Sequence, residues 1–163
     1  MRLELIHPMI VHFPLALLLV GVCVKCVAFF ARRTLVYPYL AVSSWLLVGL
    51  GVCFAWAAII AGEVAEDIVR KTLCQPDVLQ DHRQMAYTAG ILFTAAFVVD
   101  LGKTAGKKYF FPLFNKTLLV ANFLLFFAGT FILVSAAFLG GSLVYEQGAA
   151  VEKTCEINKK TAF

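Results

Sequence analysis

The sequence predicts an all-α integral membrane protein, an antiparallel bundle of four transmembrane helices. Hydrophobic residues make up 61% of the 163 residues and charged residues only 15%, against roughly a quarter charged in soluble domains. A span needs about 20 mostly apolar residues, and four segments qualify, at residues 9–30, 35–62, 85–102 and 117–140. The stretches between them are too short for another folded unit, so residues 1–163 are predicted to form a single domain.

The first span opens with the string His-Pro-Met-Ile-Val-His-Phe-Pro at residues 7–14. We expect this span to stay in the membrane rather than be cleaved as a signal peptide, because its apolar run exceeds the roughly 7–15 residues of a signal core. Its positive charges, Arg32 and Arg33, also follow the run instead of preceding it. Pro14 has no N–H to offer the carbonyl near Ile10, so the helix is expected to bend there.

The second, third and fourth spans complete an up-down-up-down arrangement. Four spans allow a repeat of two helical hairpins, although the halves share no residue pattern that establishes one. In such a bundle the first and third helices are diagonal neighbours across the core. Side chains on those two helices are therefore expected to meet in the middle of the bundle.

The charges of the loops predict the orientation. Short basic loops stay in the cytoplasm. The first loop carries Arg32 and Arg33, the second is acidic, and the third is basic. The lysines of the third loop are Lys103, Lys107, Lys108 and Lys116. We therefore expect a bacterial inner-membrane protein whose second loop and both termini lie in the periplasm.

Two cysteines fall outside the spans, on the predicted periplasmic side. Cys74 lies in the second loop and Cys155 in the C-terminal tail. An oxidising compartment permits a disulfide between them, which would hold the tail over the second loop. The alternative is two unrelated thiols.

The three histidines, His7, His12 and His82, all fall at the periplasmic ends of spans. Imidazole in or at the edge of a span is costly, so each is a candidate for a functional site. Five residues of straight helix turn the chain by about 140°, so His7 and His12 do not share a face. We predict that His12 turns into the bundle and faces His82 across the diagonal, with His7 as substitute or outer partner.

Two neutral imidazoles from opposed helices are what a six-coordinate haem needs, with apolar walls around the porphyrin. The leading hypothesis is a periplasm-facing protein that binds haem b and carries electrons or handles haem, with His12 and His82 as axial ligands. A divalent metal remains an alternative: zinc, iron or copper held by the three histidines and loop carboxylates. A non-catalytic membrane subunit, whose histidines serve packing and hydrogen bonding, is the third hypothesis.

Several other residues are candidates to support such a site. A ligating histidine usually donates its other ring nitrogen to a carboxylate or a carbonyl. Asp81, Glu63 and Asp67 are the carboxylates considered for this role, with a solvated loop face as the alternative for each. Tyr145 lies just past the fourth span, where it is expected either to cap the pocket or to belong to the interfacial belt of tyrosines.

Three features of the chain together resemble a known family. They are the string at residues 7–15, a lone histidine opening the third span, and Leu-Val-Tyr-x-x-Gly at residues 143–148. The chain resembles, over nearly its whole length, the bacterial membrane family catalogued as domain of unknown function 2231. The resemblance implies a four-helix membrane domain in a family sometimes joined to cytochrome c-like modules, a context that favours electron transfer and haem by association.

The resemblance also implies which residues form the site. Those residues are His7, His12 and His82, with Tyr145 and Gly148. The family pattern further implies an aspartate shortly after a glycine that ends the second span. Here Gly62 is followed at once by Glu63, with Asp67 later. The family pattern therefore does not decide which of these two residues is the acidic residue of the site.

The sequence narrows the classes of partner. It has no glycine-rich phosphate loop and no metalloprotease helix motif, so an enzyme is not the favoured class. The formal net charge of +4 is accounted for by cytoplasmic loops that face anionic lipid, so nucleic acid is not an expected partner. The expected partners are membrane lipid and a periplasmic or membrane redox protein, and whether the bundle forms a homodimer stays open.

Overall fold

The structure, a computed structural model, describes residues 2–73, 75–105 and 112–151. All regular elements in these ranges are helical. Two short 3₁₀ turns accompany five α-helices, which we number in chain order. The 3₁₀ turns are Leu3–Leu5 and Arg70–Thr72, and the helices are α1 Ile6–Ile10, α2 His12–Phe30, α3 Tyr37–Val69, α4 Pro76–Ala105 and α5 Pro112–Tyr145.

Four of these segments are long and apolar enough to cross a membrane. They are Leu3–Phe30, Tyr37–Val69, Pro76–Gly102 and Thr117–Tyr145. The first combines the N-terminal 3₁₀ turn with α1 and α2. The all-helical class and the four-helix membrane bundle expected from the sequence are therefore confirmed.

The first span is interrupted where the sequence predicts a bend. α1 ends at Ile10, Val11 is a turn residue, and α2 begins at His12. Pro14 carries no N–H, so the carbonyl of Ile10 loses its usual partner four residues on. The interruption separates the two histidines of the first span into different helices.

The helices pack as two hairpins. α2 packs mainly against α3, and α4 mainly against α5, while α3 also contacts α4 along part of its length. Leu18 on α2 and Phe93 on α4 are almost completely buried at the centre of the bundle. The large side chains outside this core are exposed and would face lipid, with Phe30, Leu35 and Phe138 more than three-quarters exposed.

Buried positions of the first hairpin have counterparts in the second. Leu18 packs against Gly51, and Phe93 packs against Gly129. A Cβ atom would lie 2.7 Å from Leu18 if placed on Gly51 and 3.2 Å from Phe93 if placed on Gly129, so both contacts need glycine. This correspondence supports the repeat of two hairpins that the sequence left open, because each half places a large buried side chain against a glycine of its own hairpin.

A polar contact joins the two hairpins at the end that holds the first loop. Lys25 on α2 forms an ion pair with Asp100 on α4. Asn122 on α5, itself 1% exposed, donates a hydrogen bond to the same carboxylate. On α3, the buried hydroxyl of Ser44 donates to the carbonyl of Gly21 at 3.0 Å. Each of these side chains therefore has a partner inside the bundle, as burial in a membrane demands, while Oδ1 of Asn122 has no hydrogen-bond partner among the described residues.

We predict that the pairing of Lys25 with Asp100 sets how the hairpins assemble. Lys25→Asp or Asp100→Lys alone leaves two like charges in contact, and each should destabilise the fold by about 3–5 kcal/mol because a buried charge loses its partner. The double variant should recover most of that loss, since the amide of Asn122 can turn to accept from a lysine. Denaturant unfolding in detergent micelles measures both effects.

The control for this experiment is Lys71→Asp, at an exposed position in the 3₁₀ turn after α3. Its change in stability should stay within about 0.5 kcal/mol. If the double variant is as unstable as the sum of the two single variants, the pair does not direct assembly.

Candidate functional site

The histidines that meet across the bundle are His7 on α1 and His82 on α4. Their ring centres lie 6.1 Å apart and their planes are nearly perpendicular, at 87°. Both rings are partly buried. The diagonal contact that the sequence predicts between the first and third spans is therefore present, but it involves His7 where His12 was expected.

Each ring is oriented by a backbone carbonyl of its own hairpin. Nδ1 of His7 lies 2.8 Å from the carbonyl oxygen of Ala58 on α3, and Nδ1 of His82 lies 2.8 Å from that of Ala136 on α5. A carbonyl oxygen only accepts, so Nδ1 must carry the proton in both rings. In the neutral rings, Nε2 then keeps its lone pair, and it has no protein partner among the described residues.

A glycine faces each ring one helical turn beyond the carbonyl that holds it. A Cβ on Gly62 would lie 3.1 Å from Nδ1 of His7, and a Cβ on Gly140 would lie 3.1 Å from Cε1 of His82. Each imidazole therefore fits against its partner helix only because that helix has no side chain there. The two half-sites are built in the same way, so the repeat of hairpins extends to the site.

The histidine pair lines a cavity of about 350 Å³. Most of its wall is apolar, and its rim carries the polar groups. The apolar wall includes Leu5, Ile59, Ala65, Val69, Leu79, Ala86 and Leu143. Such a mostly apolar cavity with a few convergent polar groups has the character of a small-molecule site.

The polar rim is a network between α3 and α4. The guanidinium of Arg83 lies 3.7 Å from a carboxylate oxygen of Glu63 and 3.5 Å from one of Glu66. The hydroxyl of Tyr87 donates a hydrogen bond to Glu63. Glu63 therefore lines the cavity, as the sequence suggested, but its partners there are Arg83 and Tyr87 rather than an imidazole.

The other side of the cavity is covered by the turn that follows α5. Gly148 adopts a positive φ of 69°, which favours glycine, and the N–H of Ala149 donates to the carbonyl of Leu143 at 2.9 Å. Arg2 then donates to the carbonyl of Ala150 at 2.9 Å. The string Leu-Val-Tyr-x-x-Gly at residues 143–148 thus forms a helix end that folds the chain back over the cavity.

The structure differs from the sequence analysis on the position of His12. Its ring is exposed, and Nδ1 lies 2.8 Å from the carbonyl of Pro8 on its own span. About 140° separates His7 from His12 on a helix, and the interruption at Val11 leaves His7 as the inward residue. The expected contact of His12 with His82 is therefore replaced by the contact of His7 with His82.

Other predicted residues lie away from the cavity. Asp81 and Asp67 are exposed and do not line it, and Tyr145 is 91% exposed. In the structure the pocket is closed by the turn at Gly148 rather than by Tyr145. Cys74 and Cys155, predicted to form a disulfide, lie outside the described residues.

Two residues of the rim, Arg83 and Tyr87, were not singled out from the sequence. Glu66, one of the loop carboxylates considered for a metal, joins them at the rim, and Gly140 lies against the ring of His82. A signal for the glycines does exist, since Ala-x-x-x-Gly occurs at residues 58–62 and again at 136–140. The role of this motif becomes apparent in the structure. In each hairpin the alanine carbonyl and the glycine lie on one helix face, against a histidine.

Few potential metal ligands lie close together in the described part of the chain. There, no group of three or more histidine, cysteine, aspartate or glutamate side chains comes close enough to hold an ion. What the described residues do provide is a pair of imidazoles with free Nε2 atoms.

The matching family has the description "predicted membrane protein (DUF2231)", and its match covers residues 4–153. The chain belongs to this family. No curated protein and no solved structure matches the chain. The match includes the complete histidine cavity. The structure gives the location of the residues that the family resemblance implied: His7 and His82 face each other, and Gly148 lies in the turn that folds the chain over them.

We predict that Gly140→Ala disturbs the site while the neighbouring Gly141→Ala does not. A Cβ at Gly140 presses on the ring of His82, whose bond to Ala136 prevents it from yielding, whereas a Cβ at Gly141 meets nothing within 4 Å. Both changes have the same effect on helix propensity. Gly140→Ala should therefore be less stable than Gly141→Ala by about 1 kcal/mol, the value of one hydrogen bond, in thermal unfolding in detergent. Equal stability of the two variants would contradict the close contact.

Proposed function

We propose that this protein binds haem b between His7 and His82 and uses it for electron transfer or haem handling at the outer face of the membrane. The observation that carries the proposal is the pair of diagonal imidazoles with carbonyl-bound Nδ1 atoms. An outer partner on one ring nitrogen is the usual arrangement for a histidine that ligates a metal through the other.

The number of ligands favours haem over a free divalent ion. Zinc in proteins takes three or four protein ligands, and the described residues offer two imidazoles. Haem needs only its axial ligands from the protein, because the macrocycle supplies the other nitrogens. His7 and His82 would be the residues that hold the iron, since their ring centres lie 6.1 Å apart and their Nδ1 atoms are engaged by carbonyls.

The symmetry of the site also supports haem. His7 and His82 occupy equivalent positions in the two hairpins, and each has the same carbonyl and glycine neighbours. A group bound between them meets two equivalent environments, which suits a metal with two identical axial ligands. Most of the wall is apolar, and the guanidinium of Arg83, which is shared with Glu63 and Glu66 at the rim, is a cationic group that would suit an acidic substituent.

We further propose that the cavity faces the periplasm in a bacterial inner membrane, with both termini on that side. The support is the charge of the loops, because Arg32 and Arg33 lie at the end of the bundle opposite the histidines, the third loop is rich in lysine, and short basic loops stay in the cytoplasm. A periplasmic or membrane redox protein is then the partner that could exchange electrons with the site. Bound haem would supply reversible one-electron chemistry.

Absorption spectroscopy tests the proposal. We expect protein purified from haem-sufficient cells, or mixed with haemin, to give the Soret and reduced α bands of six-coordinate haem. His7→Ala and His82→Ala should each lose most of the haem or convert it to a high-spin form. His12→Ala, which removes an exposed imidazole of the same span, is the matched control and should keep the wild-type spectrum.

Four outcomes would overturn the proposal. A colourless protein that takes up no haemin excludes the cofactor. Loss of the spectrum in His12→Ala, with His7→Ala unchanged, excludes the assigned pair. Near-stoichiometric zinc, iron or copper without porphyrin would favour the metal alternative, and alanine variants that only lower stability would favour the non-catalytic subunit.

The orientation has its own test. Alkaline phosphatase is active only outside the cytoplasm, and green fluorescent protein exported in unfolded form does not fluoresce. We expect a phosphatase fused after residue 163 to be active and one inserted in the first loop after Thr34 to be inactive, with the reverse for fluorescence. An inactive C-terminal phosphatase fusion would contradict the proposed topology.

A further inference from the structure

A second cavity lies at the end of the bundle opposite the histidine pair. Lys25 and Asp100 line it. Lys25 follows His7, and Asp100 follows His82, by about five helical turns, which corresponds to about 27 Å of rise. Because the hydrocarbon core of a bilayer is about 30 Å thick, the two cavities face opposite surfaces of the membrane.

The second cavity is the larger, with a volume of about 710 Å³. It lies between the ends of α2 and α3 and reaches α5, where the rings of Phe29 and Phe123 meet edge to face with centres 5.1 Å apart. The remaining apolar lining is Ala28, Ala41, Val42, Trp45 and Leu119. The wall is thus suited to a molecule that carries hydrocarbon as well as a polar group.

The charge of this cavity is positive. Lys25 is compensated by Asp100 in the ion pair that joins the hairpins. Arg32 is not compensated among the described residues: its Nε donates to the carbonyl of Phe29 at 2.8 Å, and its guanidinium carbon lies 3.7 Å from the centre of the Phe29 ring. These contacts fix the guanidinium plane while its terminal N–H groups have no protein partner in the described part of the chain.

We infer that this cavity binds the phosphate of an anionic phospholipid, with Arg32 as the principal ligand. An arginine fork matches a phosphate in shape and charge, and basic pockets between transmembrane helices on the cytoplasmic side bind anionic headgroups. The hydroxyl-bearing side chain of Tyr37 also lines the cavity. Phe30, which is 85% exposed and whose ring meets the lining residue Phe29 edge to face, provides apolar surface for an acyl chain. The inference does not depend on haem.

Native mass spectrometry of the detergent-purified protein tests this inference with phosphatidylglycerol and phosphatidylcholine of equal acyl chains. We expect phosphatidylglycerol to bind at least about fivefold more tightly, the preference that one basic residue near a lipid surface supplies. Arg32→Gln should abolish the preference. Arg33→Gln removes the same charge from the next residue, which is exposed and does not line the cavity, and should keep it.

Two results would overturn the inference. An equal loss of preference in Arg32→Gln and Arg33→Gln would assign lipid selectivity to the charge of the loop in general. Competition by glycerol phosphate at the concentration of the lipid would mean that the cavity recognises a soluble phosphate ester, since that probe has no acyl chains. The haem spectrum, measured on the same Arg32→Gln sample, reports separately on the histidine site and should be unchanged.

Discussion

Two polar contacts on the bundle diagonal, His7 with His82 and Lys25 with Asp100, determine how the two hairpins meet. A hydrocarbon environment leaves polar side chains few alternatives to a partner inside the protein. Each contact therefore fixes the rotation of α2 or α1 relative to α4. Between them lie the almost completely buried side chains of Leu18 and Phe93, so the two polar contacts are at opposite ends of a largely apolar core.

The repeat of hairpins explains why these contacts fall where they do. The residues of each diagonal pair are equivalent positions of the two halves, and Lys25 and Asp100 are 75 residues apart, as are the two histidines. Near a two-fold axis, equivalent residues are brought face to face. Identical histidines tolerate this arrangement when neutral, whereas two lysines would repel. The ion pair thus makes each hairpin complementary to the other and not to a copy of itself.

Hydropathy and loop charge were sufficient to predict the number of spans, since these signals are local and additive along the chain. The diagonal relation of the first and third spans also followed from their order. Which histidine turns inward could not be read from the sequence, because His7 and His12 differ by a helix rotation that only packing fixes. The missing N–H of Pro14 predicted the interruption, but not that His12 would bond to Pro8 and remain exposed.

The repeat escaped detection for a related reason. Leu18 corresponds to Phe93, Ser44 to Asn122, and Lys25 to Asp100, so the halves conserve burial and polarity but not residue type. Glycine is the informative exception. Gly62 and Gly140 are glycine in both halves, and a Cβ at either position would press on an imidazole at about 3.1 Å, so a larger residue there costs stability.

The two-fold relation breaks at the rim of the histidine cavity, and the break gives the site a direction. Glu63 on α3 corresponds to Gly141 on α5, so the acidic network with Arg83 exists only between α3 and α4. On the opposite side, Arg2 secures the turn after Gly148 over the cavity. A group held between equivalent imidazoles would therefore meet Glu4, which pairs with Arg2, along one edge, and the more exposed network of Arg83 and Glu63 along the other. The edge with Arg83 and Glu63 is where a redox partner could approach the site most closely.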